Sequence, residues 1–307
     1  GQIESTNPCV SGQTLISTSE GFIRADELHK KVEAGKNIKI IFDRRALEHK
    51  VSNRFEYRNL EILRSGNIRS WERGKKETYR LTTYSGYSLE ATADHKVLTE
   101  NGYKRLGELE KGDEVLIQPL GKFSLQKKIF SNGKVKRLNN FTKRKTLKLP
   151  ECWSGELGEV LGWLVGDGWF RKDRAGFTFG HQDKKVASYF NKIISEWYNC
   201  SVKEIVRDNG VIHLSYHSKG FIEFFKELGV KILTSRYKEV PESLFSAPRE
   251  AGAGFLRGIF SADGNIDDTD GTIKISSSSK KLLRGIQVLL LNLGIKYNFL
   301  TGKYSFS

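Results

Sequence analysis

Two short stretches of this chain repeat one pattern. Residues 160–168 read VLGWLVGDG, and residues 256–264 read LRGIFSADG. Small residues stand four positions apart in both copies. They occupy positions 158, 162 and 166 in the first copy and positions 254, 258 and 262 in the second, where 158 and 254 lie just before the quoted stretches. On an α-helix this spacing places them on one face. The repeat therefore predicts two helices whose bare faces let their backbones pack closely together.

Each repeat closes with an aspartate and a glycine. The spacing places Asp167 and Asp263 at the carboxyl ends of the two helices, where the helix dipole disfavours a negative charge. The glycine after each aspartate suits a helix C-cap at which the chain turns sharply. In a parallel helix pair the two carboxylates lie side by side and repel each other unless a cation lies between them. We therefore predict a Mg²⁺ site held by Asp167 and Asp263.

The repeat resembles the paired motifs of the LAGLIDADG homing endonucleases. The glycines and the aspartate match in both copies, whereas the leucines vary and Ser261 stands where that family often has Asp. Residues 238–241, KEVP, also resemble a lysine–proline block of the family, although an exposed lysine before a loop fits the same letters. The resemblance implies a mixed α/β domain of pseudo-two-fold αββαββα repeats over residues 151–307, with an incomplete second half. It implies a Mg²⁺-dependent, site-specific double-strand endodeoxyribonuclease. The catalytic residues implied are Asp167, Asp263 and Lys238.

Two stretches nearer the start carry a second resemblance. Residues 9–28 read CVSGQTLISTSEGFIRADEL, and residues 89–98 read LEATADHKVL. They resemble the opening block of inteins and the intein block that contains Thr-x-x-His. Short alternating strands with regular turn signals run through residues 9–120, a pattern typical of a compact all-β domain. The resemblance implies that these residues form the N-terminal part of a Hint-type splicing domain, which needs no cofactor.

The chemistry of splicing requires these residue types. The thiolate of Cys9 can attack the carbonyl carbon of Pro8 and convert the peptide bond to a thioester, so the Pro8–Cys9 bond is the predicted scissile bond. The leaving nitrogen needs a proton donor, and the resemblance nominates His95 for this role. The resemblance also implies that Thr92 orients the reacting groups. A buried structural cysteine and an ordinary turn histidine are the alternatives.

The residues before Cys9 point to a host protein. Residues 3–9, IESTNPC, resemble the active-site segment of ribonucleotide reductase, so residues 1–8 are predicted to be the end of an N-terminal extein. The implied function is excision from a ribonucleotide reductase precursor, with the host exteins as partners in cis. Inteins of this type end in a His-Asn block, whereas the chain stops at residues 304–307, YSFS. We therefore expect an N-terminal portion whose partner is a missing C-terminal intein segment.

The charge of the chain predicts a nucleic-acid partner. Its net charge is +15 and its pI is about 9.6, a bias that favours a polyanion such as double-stranded DNA. Residues 121–150 contain no Asp or Glu and are predicted to be a basic linker that contacts DNA phosphates. The candidate phosphate-binding side chains are Lys127, Lys128, Lys134, Lys136, Arg137, Lys143, Arg144 and Lys145.

Several protein classes fit poorly. No apolar run is long enough to span a bilayer, so no membrane partner is expected. The three cysteines match neither a disulfide framework nor zinc spacing, which favours an intracellular, reducing, cytoplasmic setting. Three alternatives stay open: a Hedgehog-type autoprocessing domain, an autoprocessing domain whose decayed nuclease only binds DNA, and a non-enzymatic DNA-binding protein. The DNA recognition sequence is not readable from the chain.

Overall fold

A computed structural model describes residues 9–43, 63–121, 123–130, 134–140, 146–231 and 235–298. The predictions for residues 1–8, which include Pro8, lie outside these residues, as do those for Lys143, Arg144 and Lys145. The chain divides into two compact units. The first unit comprises residues 1–123 and 290–307, and the second comprises residues 124–289.

The first unit consists mainly of short strands. Its elements are β1 (Leu15–Thr18), β2 (Gly21–Arg24), α1 (Ala25–Glu33), β3 (Lys39–Asp43), β4 (Leu63–Asn67), β5 (Tyr79–Thr82), β6 (Ser88–Ala91), β7 (Lys96–Thr99) and β8 (Gly102–Arg105). An antiparallel sheet has the strand order β2-β1-β3-β4, and β5-β6 and β7-β8 form hairpins. This series of strands and turns agrees with the sequence pattern of residues 9–120.

Helix α1 covers one side of a small apolar core. Its first turn carries Asp26 and Glu27, which complement the positive end of the helix dipole. Leu28 is buried and packs with Ile23 and Ile38. The sequence predicts a helix over residues 25–32. This helix forms because its apolar face, with Leu28, packs into the core.

The chain leaves the first unit and returns to it at one place. The backbone N–H of Leu120 donates to the carbonyl of Leu291 at 3.0 Å. A Cβ atom on Gly121 would lie 2.3 Å from Oδ1 of the buried Asn292, so a larger residue at position 121 would displace that side chain. The outgoing and returning segments are thus in direct contact within the first unit.

The second unit has mixed α/β structure. Its elements are α2 (Lys134–Asn139), α3 (Gly155–Asp167), β9 (Gly168–Phe170), β10 (Ala175–Phe179), α4 (Lys184–Tyr198), β11 (Ile205–Val206), β12 (Ile212–Tyr216), α5 (Lys219–Glu227), α6 (Arg249–Asp263), β13 (Gly264–Ile266), β14 (Ile273–Ile275) and α7 (Lys280–Asn292), whose last turn belongs to the first unit. The strands pair in the order β11-β12-β10-β9, and β13 pairs with β14. The order helix, strand, strand, helix thus occurs twice, and the two-fold symmetry between the copies stays a prediction.

An aromatic core lies between α3 and the first of these sheets. The Trp163 ring stacks on Phe179 with a centroid distance of 4.8 Å and contacts Phe190 at 5.2 Å. Its indole N–H donates to the carbonyl of Thr178 at 3.0 Å, which satisfies the polar atom of a buried ring. These contacts fix α3 against β10 and α4.

The glycine faces of α3 and α6 meet directly. A Cβ atom on Gly162 would lie 2.2 Å from the carbonyl oxygen of Phe255, and one on Gly258 would lie 2.1 Å from that of Glu159. The start of α3 contacts the start of α6. The ends of the two helices also meet, since a Cβ on Gly166 would lie 2.7 Å from the Cβ of Ala262. The two helices therefore run parallel with their backbones in contact.

The glycines after the two aspartates differ from the expected cap geometry. Gly168 and Gly264 follow α3 and α6, but their φ values of −90° and −88° with ψ near 166° and 160° are extended, not left-handed. Both C-cap residues are therefore already in the extended conformation with which β9 and β13 begin. Glycine is needed there for space, because a Cβ would lie 2.3 Å from the Leu164 carbonyl oxygen and 2.4 Å from that of Phe260.

Much of the predicted linker, residues 121–150, packs into the second unit. Val135 and Leu138 of α2 are buried, and the N–H of Ile129 donates to the Glu151 carbonyl at 3.0 Å. The N–H of Lys148 donates to the carbonyl of Trp197 at 2.7 Å. The division also places residues 290–307 with the first unit, whereas the sequence suggests one domain over residues 151–307. Among the helices of the described residues, none is both long and apolar enough to cross a membrane.

Candidate splicing and nuclease sites

Thr92 binds the backbone of Cys9 on both sides. The N–H of Cys9 donates to the Thr92 hydroxyl oxygen at 3.0 Å, and the N–H of Thr92 donates to the Cys9 carbonyl at 2.9 Å. The pairing continues through a β-bridge between Val10 and Ala91. Strand β6 ends at Ala91, so the end of this strand places Thr92 beside the predicted nucleophile. Cys9 itself is half-buried, and none of the three cysteines forms a disulfide.

His95 lies on the turn that begins at Thr92. The N–H of His95 donates to the Thr92 carbonyl at 3.0 Å, and the N–H of Leu106 donates to the His95 carbonyl at 2.7 Å. Burial lowers the pKa of His95 below its ordinary value of 6.5, and the negative charge of Asp94 opposes this shift. Its Nδ1 atom is buried without a hydrogen-bond partner among the described residues. The imidazole is therefore predominantly neutral at neutral pH.

Asp94 is a residue that the sequence patterns did not single out. It accepts a hydrogen bond from the Thr92 hydroxyl, which holds the pKa of its carboxyl group below the usual range. The Thr92 hydroxyl oxygen also lies 3.4 Å from the carbonyl oxygen of Cys9. Asp94 thus orients the hydroxyl that accepts from Cys9 and places a negative charge beside His95. An acid directly before the histidine of Thr-x-x-His is the signal that would have identified it.

The two aspartates predicted to be neighbours are neighbours. Gly166 immediately precedes Asp167, and a Cβ atom on Gly166 would lie 3.4 Å from Oδ2 of Asp263. Reduced hydration raises the pKa of the Asp167 carboxyl, and the negative charge of Asp263 raises it further. Reduced hydration also raises the pKa of Asp263. Residue 167 as a whole is exposed, so solvent screens this repulsion.

Lys238 lies at the same place. Its ammonium group donates to the carbonyl of Gly166, and its positive charge lowers the pKa of both Asp167 and Asp263. Lys238 is half-buried, so the alternative of a freely exposed lysine before a loop does not describe it. The structure thus brings together Asp167, Asp263 and Lys238 from three separate segments of the second unit.

The aspartate pair suits a hard divalent cation. Two carboxylates whose charges oppose each other gain from a cation between them, and Mg²⁺ commonly uses one or two carboxylates and completes its shell with water and substrate phosphates. Within the described residues, no group of three or more His, Cys, Asp or Glu is placed to hold a metal ion. A cation held by Asp167 and Asp263 would therefore take water and phosphate oxygens as further ligands.

The predicted phosphate-binding side chains differ in their surroundings. Lys127, Lys128, Lys136 and Arg137 are exposed. Lys134 instead pairs with Glu227, and its ammonium lies 5.4 Å from the centre of the Phe130 ring. The first four side chains remain available to a polyanion, whereas Lys134 is engaged in packing α2 against α5.

Comparison with known proteins gives matches along nearly the whole chain. A family model described as a LAGLIDADG-like domain matches residues 250–305. The chain is 28% identical to a component of the A-type ATP synthase of Pyrococcus abyssi, with 94% of the chain covering 28% of that protein. It is 27% identical to the replicative DNA helicase DnaB of Rhodothermus marinus, again with 94% covering 28%. It is 23% identical to the alpha chain of ribonucleoside-diphosphate reductase NrdEB of Bacillus subtilis, with 96% covering 26%.

The chain therefore spans about a quarter of the length of the curated relatives that it matches. These relatives bear the names of three unrelated enzymes, yet each matches nearly the whole of this chain, across both the splicing motifs and the LAGLIDADG-like region. The chain belongs to the inteins that carry a LAGLIDADG-type endonuclease domain. In this intein, Cys9, Thr92 and His95 belong to the first unit, and Asp167, Asp263 and Lys238 belong to the second.

Solved structures resemble the intein only weakly in overall superposition. A DnaB intein from Synechocystis sp. PCC 6803 aligns with a TM-score of 0.28 and 26% identity, covering 36% of this chain and 67% of that one. I-DmoI in complex with DNA and Ca aligns with a TM-score of 0.32 and 19% identity, covering 46% of this chain and 73% of that one. These scores are too low for the superpositions to support a conclusion about the intein.

Proposed function

We propose that this intein excises itself from a host protein and that its first step is an N-to-S acyl shift at Cys9. The observation that carries the proposal is the pair of hydrogen bonds by which Thr92 holds the Cys9 backbone, at 3.0 Å and 2.9 Å. His95 is three residues further along the same turn. These hydrogen bonds, which hold the backbone of the predicted nucleophile, support the proposal that His95 carries the proton in the cleavage of the predicted scissile bond.

The step balances without any cofactor. The neutral imidazole of His95 takes the proton of the Cys9 thiol, and the sulfur attacks the carbonyl carbon of Pro8. The carbon–nitrogen bond breaks, and the imidazolium returns the proton to the nitrogen of Cys9. The nitrogen of Cys9 therefore leaves as a neutral amine, and the carboxylate of Asp94 favours the imidazolium during the transfer. The product is a thioester between Pro8 and Cys9.

A ribonucleotide reductase is the proposed host. Residues 3–9 resemble the active-site segment of that enzyme, and one relative covering 96% of the chain is a chain of ribonucleoside-diphosphate reductase. An insertion in this active-site segment would inactivate the host until the intein left without a trace. Only accurate excision would then restore the host enzyme.

Intact mass spectrometry after incubation with excess thiol tests the acyl shift. Thiol exchange releases residues 1–8 from the thioester, so the remaining chain should lose their mass. Cys9→Ala should retain the full mass under the same conditions, while Cys152→Ala should behave as the natural chain does. Full mass in the natural chain after prolonged incubation would contradict the proposed first step.

We further propose that the second unit cuts double-stranded DNA at a site in the host gene that lacks the intein. The juxtaposition of Asp167, Asp263 and Lys238 supports this activity. A divalent cation such as Mg²⁺, when bound, would activate water and stabilise charge on the phosphate. Asp167 and Asp263 would hold that cation, and Lys238 would stabilise negative charge on the scissile phosphate. The exposed basic side chains of residues 127–137 would bind the DNA backbone.

Cleavage of a DNA fragment that carries the uninterrupted host sequence tests this second activity. Double-strand cleavage should require a divalent cation and should disappear in Asp167→Asn and Asp263→Asn. Asp173→Asn is a matched control, because this carboxylate is in the same unit, is paired with Arg174 and is not a predicted metal ligand. Specific binding without cleavage by the natural chain would favour a decayed nuclease that only binds DNA.

A further inference from the structure

A buried serine is bound to the backbone of Lys238. Ser279 is fully buried, and its hydroxyl donates to the carbonyl oxygen of Lys238 at 2.5 Å. The same hydroxyl accepts a hydrogen bond from the N–H of Leu282 at 3.2 Å, which caps the first turn of α7. One side chain thus ties the start of a helix to the backbone of the lysine beside the aspartate pair.

The next residues reinforce this attachment. Glu239 forms ion pairs with Lys281 on α7 and with Lys231 after α5, and only 11% of its side chain is exposed. Burial opposes ionisation of Glu239, but these two ammonium groups outweigh it and hold the pKa of its carboxyl below the usual range. Val240 packs so closely on α7 that a Cβ on Gly285 would lie 2.5 Å from its Cγ2. Helix α7 and the serine before it therefore contact residues 238, 239 and 240 in turn.

We infer that Ser279 is a positioning residue for DNA cleavage, which acts by fixing the backbone of Lys238 so that its ammonium group stays at the carboxyl end of α3. This inference rests on the proposed nuclease function. A lysine side chain has many rotamers, so a fixed backbone restricts where its ammonium group can be. Without the hydroxyl of Ser279, the ammonium group of Lys238 would be hydrogen-bonded to the carbonyl of Gly166 for a smaller fraction of the time.

Two serines of this chain separate positioning from helix capping. Ser218 caps α5 by accepting from the N–H of Phe221 at 3.3 Å, but it is not bound to Lys238. Ser279→Ala and Ser218→Ala therefore each remove one helix cap, and only Ser279→Ala releases Lys238. Ser279→Thr keeps both hydrogen-bonding functions and should retain natural behaviour.

The first readout does not depend on cleavage. Acetylation of the full chain by a limiting reagent, followed by peptide mass spectrometry, measures how exposed the ammonium of Lys238 is relative to that of Lys226. We expect Ser279→Ala to raise this ratio about fivefold, the effect of losing one hydrogen bond, and Ser218→Ala to leave it unchanged. Equal ratios in Ser279→Ala and the natural chain would overturn the inference even if the nuclease is inactive.

The second readout is the single-turnover cleavage rate with saturating DNA and Mg²⁺. Ser279→Ala should lower this rate by about fivefold or more without changing DNA affinity measured in Ca²⁺. The same substitution should have no further effect in a Lys238→Ala background, because its action passes through Lys238. An equal loss in that background would show a merely structural role. A labelling change with no cleavage by the natural chain would sustain the positioning and refute only the proposed nuclease.

Discussion

His95 shows how one half-buried ring can be prepared for proton transfer. Burial lowers its pKa, and Asp94 limits the extent of that shift. The folded state thus favours the neutral imidazole, so the protein loses stability from this group as the pH falls below 6.5 towards the lower folded pKa. A neutral imidazole is the form that can accept a proton from the Cys9 thiol.

The rate of the thiol-induced loss of residues 1–8 should therefore rise with pH through a pKa below 6.5 and then level off near neutrality. Measurement by mass spectrometry between about pH 5 and about pH 8 covers the transition. Asp94→Asn should shift the inflection to lower pH, because the imidazolium loses a neighbouring negative charge. His29→Ala is the control, because His29 hydrogen-bonds Ser70 elsewhere in the same unit. An inflection that Asp94→Asn leaves in place would contradict this assignment.

Among elements, the parallel pair α3 and α6 is held together by backbone contact. The spacing of small residues predicted these bare faces, because a helical period of 3.6 residues is a local property of the chain. The contact between Ser279 and Lys238 was not predictable in this way. It joins residues 41 positions apart, and a serine before a helix signals a cap without showing what else its hydroxyl binds.

Gly162→Ala tests the importance of the close approach. The new Cβ would lie 2.2 Å from the carbonyl oxygen of Phe255, so the helices must separate. Alanine gains up to about 1 kcal/mol of helix propensity over glycine, but overpacking of a tight contact costs about 1–3 kcal/mol or more. We expect net destabilisation of the second unit in chemical denaturation, together with loss of DNA cleavage.

Gly155→Ala provides the comparison on the same helix. Its new Cβ would lie 3.7 Å from the carbonyl oxygen of Glu250, an ordinary van der Waals distance. This substitution should leave stability unchanged or raise it by a few tenths of a kcal/mol. Similar effects of Gly155→Ala and Gly162→Ala would show that the helices tolerate separation.

For the whole molecule, the sequence predicted two domains but not the course of the chain between them. The absence of acids from residues 121–150 suggested a linker, because composition does not reveal that Val135 and Leu138 enter a core. The sequence also did not indicate that the chain returns to the first unit near residue 290. Helix α7 runs through that point, so its apolar periodicity continues without a break.

With the proposed nuclease function, the net charge of +15 predicts DNA binding that weakens as salt is added. Each phosphate contact that is removed should reduce the slope of log affinity against log salt by about 1. Replacement of both Lys136 and Arg137 by Gln should therefore reduce the slope by about 2 if both contact phosphates. Lys134→Gln removes the same kind of charge from the same helix, but this lysine pairs with Glu227 and its loss should leave the slope unchanged. Equal slopes for all three proteins would place the DNA elsewhere.

The hydrogen bond between Leu120 and Leu291 has a consequence for the history of the gene. The polypeptide departs and returns at points that already touch, so a short connection could replace everything between them with little loss of chain entropy. A single in-frame deletion could then remove the nuclease from a lineage while its descendants continued to splice. Mobility and self-removal can therefore be inherited separately.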